Sequence, residues 1–161
     1  MRVHVLSRAH ELEGTPDELF PFFADAFNLE SITPAFLGFG VLTPAPIQLG
    51  TGTVIQYGMR LHGVPITWLS SIQRWEPPHC FVDTQIRGPY RFWHHTHTFE
   101  ALPGDRTLMR DEVRYQLPFP PFGELARPFV RRDLERIFDY RRQMLPELLE
   151  AFVKGRTLRA V

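Results

Sequence analysis

"GELARPFVRRDLERIFDYRRQMLPELLEAFVKG", residues 123–155, decides the fold. Leu134, Ile137, Phe138, Leu145, Leu148, Leu149 and Phe152 recur at spacings of three and four, which predicts one long amphipathic helix over 122–154. Pro146 lacks a backbone donor and clashes with the preceding turn, so a kink is expected there. Such a helix is not stable alone in water, and its apolar stripe must lie on a second layer.

The preceding residues supply that layer. From about 38 to 117 the chain breaks into short period-two segments separated by Gly and Pro, the pattern of an antiparallel sheet. Six are predicted, at 38–43, 53–61, 65–75, 79–86, 91–101 and 106–116, with a further strand in the alternating N-terminus "MRVHVLSRAHELEG". In "GTPDELFPFFADAF" Thr15 can cap a helix, Pro16 takes its first position and Glu18 completes a capping box, predicting a helix over 16–27. "NLESITP" predicts a second short helix stopped by Pro34. The expected architecture is α+β: a seven-stranded curved antiparallel sheet around a long C-terminal helix, with two short helices after strand 1, in one domain over 1–161. A ligand is expected in the space between sheet and helix.

Composition narrows the function classes. Eighteen basic residues offset eighteen acidic ones, so no overall charge draws the molecule to nucleic acid or to anionic lipid. "RGPYRFWHHTHTF" has a trace of the aromatic strand of RNA-recognition modules, but Pro89 interrupts it. The basic "VRRDLERIFDYRR" alternates with acids at helical spacing and reads as a solvated, salt-bridged face. No apolar run approaches the ~20 residues of a membrane span, and the N-terminus has no uninterrupted apolar segment of signal-peptide type. With a single cysteine, Cys80, which is read as a small buried hydrophobe, a cytoplasmic location is expected. Fourteen phenylalanines can fill a core or line a cavity for an apolar guest.

Alternation then sorts side chains by face. In 53–61, Ile55, Tyr57, Met59 and Leu61 share one face; in 65–75, Ile66, Trp68, Ser70 and Ile72 do; in 106–116, Met109, Val113 and Tyr115 do, and Asp111 is in phase with them. "RFWHHTHTFE", 91–100, divides into Trp93, His95, His97 and Phe99 against Phe92, His94, Thr96, Thr98 and Glu100. Phe81, Asp83 and Gln85 are in phase in 79–86. Turned inward, His95, His97, Asp83, Gln85, Asp111 and Tyr115 form a polar cluster in an apolar cup. His94 falls on the opposite face.

Two histidines and Asp111 can in principle hold a metal, but H-x-H is a weak signal, and the preferred reading is imidazoles satisfied by a carboxylate, with no metal and no cofactor. A catalytic reading makes His95 or His97 a general base, Asp111 its orienting group and Tyr57 or Tyr115 an acid or oxyanion donor. Nucleophilic catalysis is poorer: Ser70 and Ser71 lack a nucleophile elbow, and Cys80 follows a Pro-Pro turn.

The element order, with "ITPAFLGF", "ITWLSSIQRWEPPHCFVDTQIRGPYRFWHHTHTFE" and "MRDEVRYQLPF", resembles the START-like, or SRPBCC, superfamily. Its helix-grip fold is shared with birch-pollen-allergen-type (Bet v 1-like) and polyketide cyclase/dehydratase-like proteins. Within it the chain resembles small bacterial ligand-binding proteins and a segment fused to some sugar-epimerase-like proteins. The matching motif positions are Trp68, Trp75, Asp83, Gln85, Gly88, Pro89, Tyr90, Trp93, His95, His97, Phe99, Asp111 and Tyr115. The resemblance implies a cavity for a lipid, quinone, polyketide or sterol-like molecule, and carries over no universal catalyst.

The expected function is binding or carriage of a hydrophobic small molecule, with Tyr57, Met59, Trp68, Phe81, Trp93, Phe99, Met109 and Phe138 as walls and Asp83, Gln85, His95, His97, Asp111 and Tyr115 as the polar end. The alternative is a cyclase, dehydratase or hydrolase using His95 or His97 with Asp111. A protein-interaction module stays open, as does the choice between monomer and homodimer.

Overall fold

The computed structural model describes residues 2–159. Its seven strands are β1 (His4–Glu13), β2 (Gly40–Val41), β3 (Val54–Leu61), β4 (Val64–Glu76), β5 (Cys80–Arg87), β6 (Phe92–Leu102) and β7 (Arg106–Gln116). They form one antiparallel sheet in the order β1-β7-β6-β5-β4-β3-β2. Consecutive strands from β2 to β7 pair as neighbours, and β1 closes on β7, so His4 to Glu13 lie opposite Tyr115 to Arg106. The helices are α1 (Pro16–Phe23), α2 (Phe122–Leu125) and α3 (Arg127–Arg159).

The α1 start follows its sequence signals. Thr15 accepts from the backbone N–H of Glu18, and the Glu18 carboxylate accepts from that of Thr15 at 2.8 Å, satisfying donors the first turn leaves orphaned. The helix ends at Phe23 instead of near 27, because Asp25 is extended and its carboxylate caps a new 3-10 turn, Ala26–Glu30, through Phe27 N–H. The second short helix is thus a 3-10 turn, and another follows Pro34 at Ala35–Leu37. The strand predicted at 38–43 pairs over only two residues.

The C-terminal helix is also divided. Leu125 ends α2, and α3 restarts at Arg127 with Pro128 in its first turn, the place where a missing N–H costs nothing. Pro128 inside one unbroken helix from 122 would have removed a ladder bond. Beyond it α3 runs through Pro146 and buries Leu134, Phe138, Leu145 and Leu149. No helix among the described residues is long and apolar enough to cross a membrane.

Two apolar clusters hold the sheet to α3. Leu12, Leu19, Phe20, Phe23, Phe99, Met109, Leu145 and Leu149 pack α1 and the distal half of α3 onto one end of the sheet. Leu6, Trp93, Val113, Tyr115, Leu134 and Phe138 pack the proximal half onto the other. Edge-to-face contacts from Phe20 to Phe81, Phe99 and Trp75 each add roughly 0.5–1.5 kcal/mol beyond burial. Trp75 reaches this cluster because the β4–β5 register shifts between Ile72 and Arg74. The bulge inverts the face of later β4 residues, so Trp75 turns inward although it is out of phase with Trp68 and Ile72. At the other end of the same hairpin series, His62 in the β3–β4 turn lies 2.7 Å from Asp133 and ties the hairpin tip to α3.

Candidate functional site

Strand β6 carries the centre of the site. Its buried residues are Trp93, His95, His97 and Phe99, while His94 and its in-phase neighbours lie on the other face. Register sets Asp83 of β5 opposite His95 and Asp111 of β7 opposite His97. The two hydrogen bonds of the cluster run diagonally, as long side chains on a pleated sheet allow. His95 Nε2 is 3.0 Å from Asp111 Oδ1, and His97 Nε2 is 3.0 Å from Asp83 Oδ2. His97 Nδ1 stands 2.8 Å from the same Asp111 oxygen, and His95 Nδ1 stands 3.6 Å from Asp83 Oδ2. The two imidazoles are 3.7 Å apart, with Phe81 stacked on His97 at 3.9 Å.

These contacts separate the ring charges. Burial opposes the charged form of His97, but the carboxylates of Asp111 and Asp83 outweigh it and raise its pKa. For His95, burial and the neighbouring His97 prevail over the same carboxylates and lower it. Burial alone would raise Asp111; hydrogen bonds and charge from the two histidines hold it well below the usual carboxylate range. Asp83 moves down for the same reasons. The arrangement therefore favours the charged form more on His97 than on His95, whose Nδ1 faces Asp83.

A cavity of about 180 Å³ adjoins this cluster. Its sheet wall is Ile55, Tyr57, Met59, Trp68, Ser70, Ile72, Phe81 and Trp93, and its helical wall is Leu134, Ile137, Phe138 and Arg141. The end of α1 and the segment after it close a third side through Phe23, Leu29, Ile32, Leu37, Phe39 and Leu49. Its ionisable side chains include Asp83, His95, His97 and Arg141, and the hydroxyls of Thr33 and Ser70 are also on the wall. Arg141 Nε is buried with no hydrogen-bond partner among the described residues, and the guanidinium carbon lies 5.0 Å from the centre of the Phe138 ring. Burial lowers the Arg141 pKa despite the partly offsetting fields of Asp111 and Asp83.

This architecture has close counterparts among solved structures. An aromatase/cyclase, Zhui, from Streptomyces sp. R1128 superposes with a TM-score of 0.74 at 15% identity, covering 92% of this chain and 94% of that one. A START superfamily protein from Mycobacterium smegmatis gives 0.61 at 11% identity, covering 88% and 97%. The chain has the START-like helix-grip fold. A nucleoside-diphosphate sugar epimerase from Corynebacterium glutamicum contains the same helix-grip unit as part of a longer chain, with a TM-score of 0.64 and 19% identity over 90% of this chain and 29% of that one. At such identities the likeness establishes the fold alone. No family model and no curated protein sequence matches the chain.

Within this helix-grip frame, nine of the fourteen residues expected to bind a ligand line the cavity: Tyr57, Met59, Trp68, Phe81, Asp83, Trp93, His95, His97 and Phe138. Five do not. Asp111 is 2% exposed and lies behind the histidines. Phe99 and Met109 belong to the cluster under α1, because the cavity ends before their level of the sheet. Tyr115 packs below α3 with Leu6, Trp93 and Leu134. Gln85 latches the β5–β6 turn instead: its amide donates to the Tyr90 carbonyl at 2.7 Å and accepts from Tyr90 N–H at 3.2 Å. A Cβ on Gly88 would come within 2.4 Å of the Gln85 amide oxygen, so the latch requires glycine there.

The latch seats Tyr90 on the cavity wall against Trp68 and Trp93, a position that alternation cannot assign because Tyr90 lies in a turn. Arg141 had a signal. It continues the series Leu134, Ile137, Phe138 at a further spacing of three and so falls on the buried stripe, not on the solvated face expected for 130–142.

Proposed function

We propose that the chain binds a hydrophobic small molecule of lipid, quinone, polyketide or sterol-like type between the sheet and α3, with an acidic oxygen of that molecule directed at Arg141 and the histidines. One observation carries the reading: an apolar cavity lined by Asp83, His95, His97 and Arg141, the last with a buried, unpartnered Nε. A buried guanidinium N–H without a hydrogen-bond partner is costly, and an anionic ligand group would offset that cost as the apolar body leaves water. Tyr57, Met59, Trp68, Phe81, Trp93 and Phe138 are its walls, Asp83, His95 and His97 its polar floor. The neighbour named an aromatase/cyclase and the one named a START superfamily protein support a small-molecule site in this fold without specifying its occupant.

The test is extraction of the purified protein with organic solvent followed by mass spectrometry, together with a thermal-shift panel of fatty acids, quinones and polyketides. An occupant at 100 times its Kd stabilises by roughly 2.7 kcal/mol, readily seen as a raised Tm. The reading fails if no apolar compound is extracted and no panel member raises Tm.

A second reading, an acid-base enzyme of cyclase or dehydratase type, is favoured by His95 and His97 lining the cavity with Asp111 behind them. It is distinguished by His95→Gln, which would abolish turnover of a bound compound while leaving its affinity within a few-fold.

A further inference from the structure

Asp83, His95 and His97, on the sheet wall of the cavity, have a geometry that ligand binding does not require. His95 and His97 project from one face of β6, and each turns one ring nitrogen toward Asp83 Oδ2 and the other toward Asp111 Oδ1. The nitrogens facing Asp83 are unlike: Nδ1 of His95 and Nε2 of His97. One donor atom from each of Asp83, His95 and His97 lies within 4.8 Å of the others.

We infer that Asp83, His95 and His97 form a binding site for a divalent transition metal, with His95 Nδ1, His97 Nε2 and an Asp83 carboxylate oxygen as ligands and Asp111 as the outer carboxylate that orients the His95 imidazole. In a tetrahedral site with bonds of about 2.1 Å, donor atoms stand roughly 3.4 Å apart. The separations of Asp83 Oδ2 from His97 Nε2 and His95 Nδ1 are 3.0 and 3.6 Å, on either side of that edge. Metal-ligating histidines donate their other ring N–H to a carboxylate or carbonyl, which fixes tautomer and ring orientation. Here His95 Nε2 is hydrogen-bonded to Asp111 Oδ1 at 3.0 Å, while His97 Nδ1 lies 2.8 Å from the same oxygen without the alignment of a hydrogen bond. A buried aspartate, 2% exposed and hydrogen-bonded to His95, is what an orienting outer partner requires.

Asp111 is therefore not the third ligand that the spacing of the sequence allows. Asp83 takes that place, and its side chain is on the cavity wall whereas Asp111 is not. Two histidines and one carboxylate leave coordination positions open, and the set of imidazole and carboxylate without thiolate suits zinc or ferrous iron. The open side faces the apolar cavity. Two carboxylates offset a dication, and Arg141 adds a further positive charge, so an anionic group is the complementary fourth ligand. The inference stands on the donor geometry and not on the proposed ligand.

The experiment is a titration of the chelator-stripped full chain with cobalt(II) chloride alone, read by visible absorption, and competition with zinc. The expected result is a ligand-field band that saturates at one equivalent and is lost when zinc is added. Asp83→Asn should abolish the saturable band, Asp111→Asn should retain it while raising the apparent Kd roughly 10–100-fold, and His94→Gln should leave both unchanged. A wild-type protein with no saturable band and no Tm rise with zinc overturns the proposal, as does Asp83→Asn binding cobalt as the wild type does. If Asp83→Asn does not fold, the wild-type stoichiometry together with the Asp111→Asn shift decides the matter.

Discussion

His95 Nε2 lies 3.0 Å from Asp111 Oδ1, and the two side chains are 7% and 1% exposed. A carboxylate so far from water is held by its partners, and removing either member leaves the other buried and uncompensated. Asp111→Ala should therefore cost about 3–5 kcal/mol, and Asp111→Asn less, because the amide keeps an acceptor and sheds the charge. Urea denaturation with an unchanged m-value is the measurement; a loss below about 1 kcal/mol for the alanine variant would contradict the pairing.

Acidity should act through the same carboxylates. A carboxyl whose folded pKa is below its unfolded value of about 3.9 contributes stability above that value and loses it as pH falls through the folded value. Asp83 and Asp111 are both lowered, so the metal-free protein should lose stability steeply below about pH 4. The histidines oppose each other. His97, raised, contributes below an unfolded value of about 6.5 and loses that contribution as pH rises through its folded value; His95, lowered, penalises the same acid range. Urea midpoints from pH 3 to 8 should show an acid limb much steeper than the neutral region, and Asp111→Asn should flatten that limb.

Ligand entry should be visible from within the cavity. Trp68 and Trp93 line it with ring centres 5.0 Å apart, whereas Trp75 packs on Phe20 and Phe81 in the core cluster. Binding of an apolar compound should shift tryptophan emission in wild type and in Trp75→Phe, and Trp68→Phe should lose most of the shift. Equal responses from Trp68→Phe and wild type would place the ligand elsewhere.

Arg141 should trade stability for affinity. Burial lowers its pKa in the folded protein, meaning that its charge disfavours the ligand-free fold. Arg141→Met should thus match or exceed the wild-type Tm without ligand while binding an acidic compound at least tenfold more weakly. A fall in both would assign the arginine to structure alone.

Much of this site can be read from strand parity. Trp93, His95, His97 and Phe99 fall on one face, and Asp83 and Asp111 follow from the same rule on the flanking strands, because the β5–β6–β7 register runs without a slip through these positions. Parity fails where the backbone departs from it. The irregularity near Gln73 turns Trp75 inward, and the β5–β6 turn delivers Tyr90 through a Gln85 latch that no periodicity encodes. The wall from Phe23 to Leu49 is built of 3-10 turns and irregular chain whose apolar residues have no fixed period. Arg141 was legible as a cation on an apolar stripe, but neighbouring acids and arginines disguise it as part of a solvated face. The break at Ala126 was legible too, since Pro128 cannot occupy the middle of a helix that starts at 122.

The central claim is that an apolar cavity receives a molecule with an acidic end. Its most direct measurement compares 2-naphthoic acid with methyl 2-naphthoate by thermal shift on wild type and Arg141→Met. The acid should raise the wild-type Tm well above the ester, and Arg141→Met should reduce the difference to nothing. If neither compound raises Tm, or if acid and ester act alike in both proteins, the claim is contradicted.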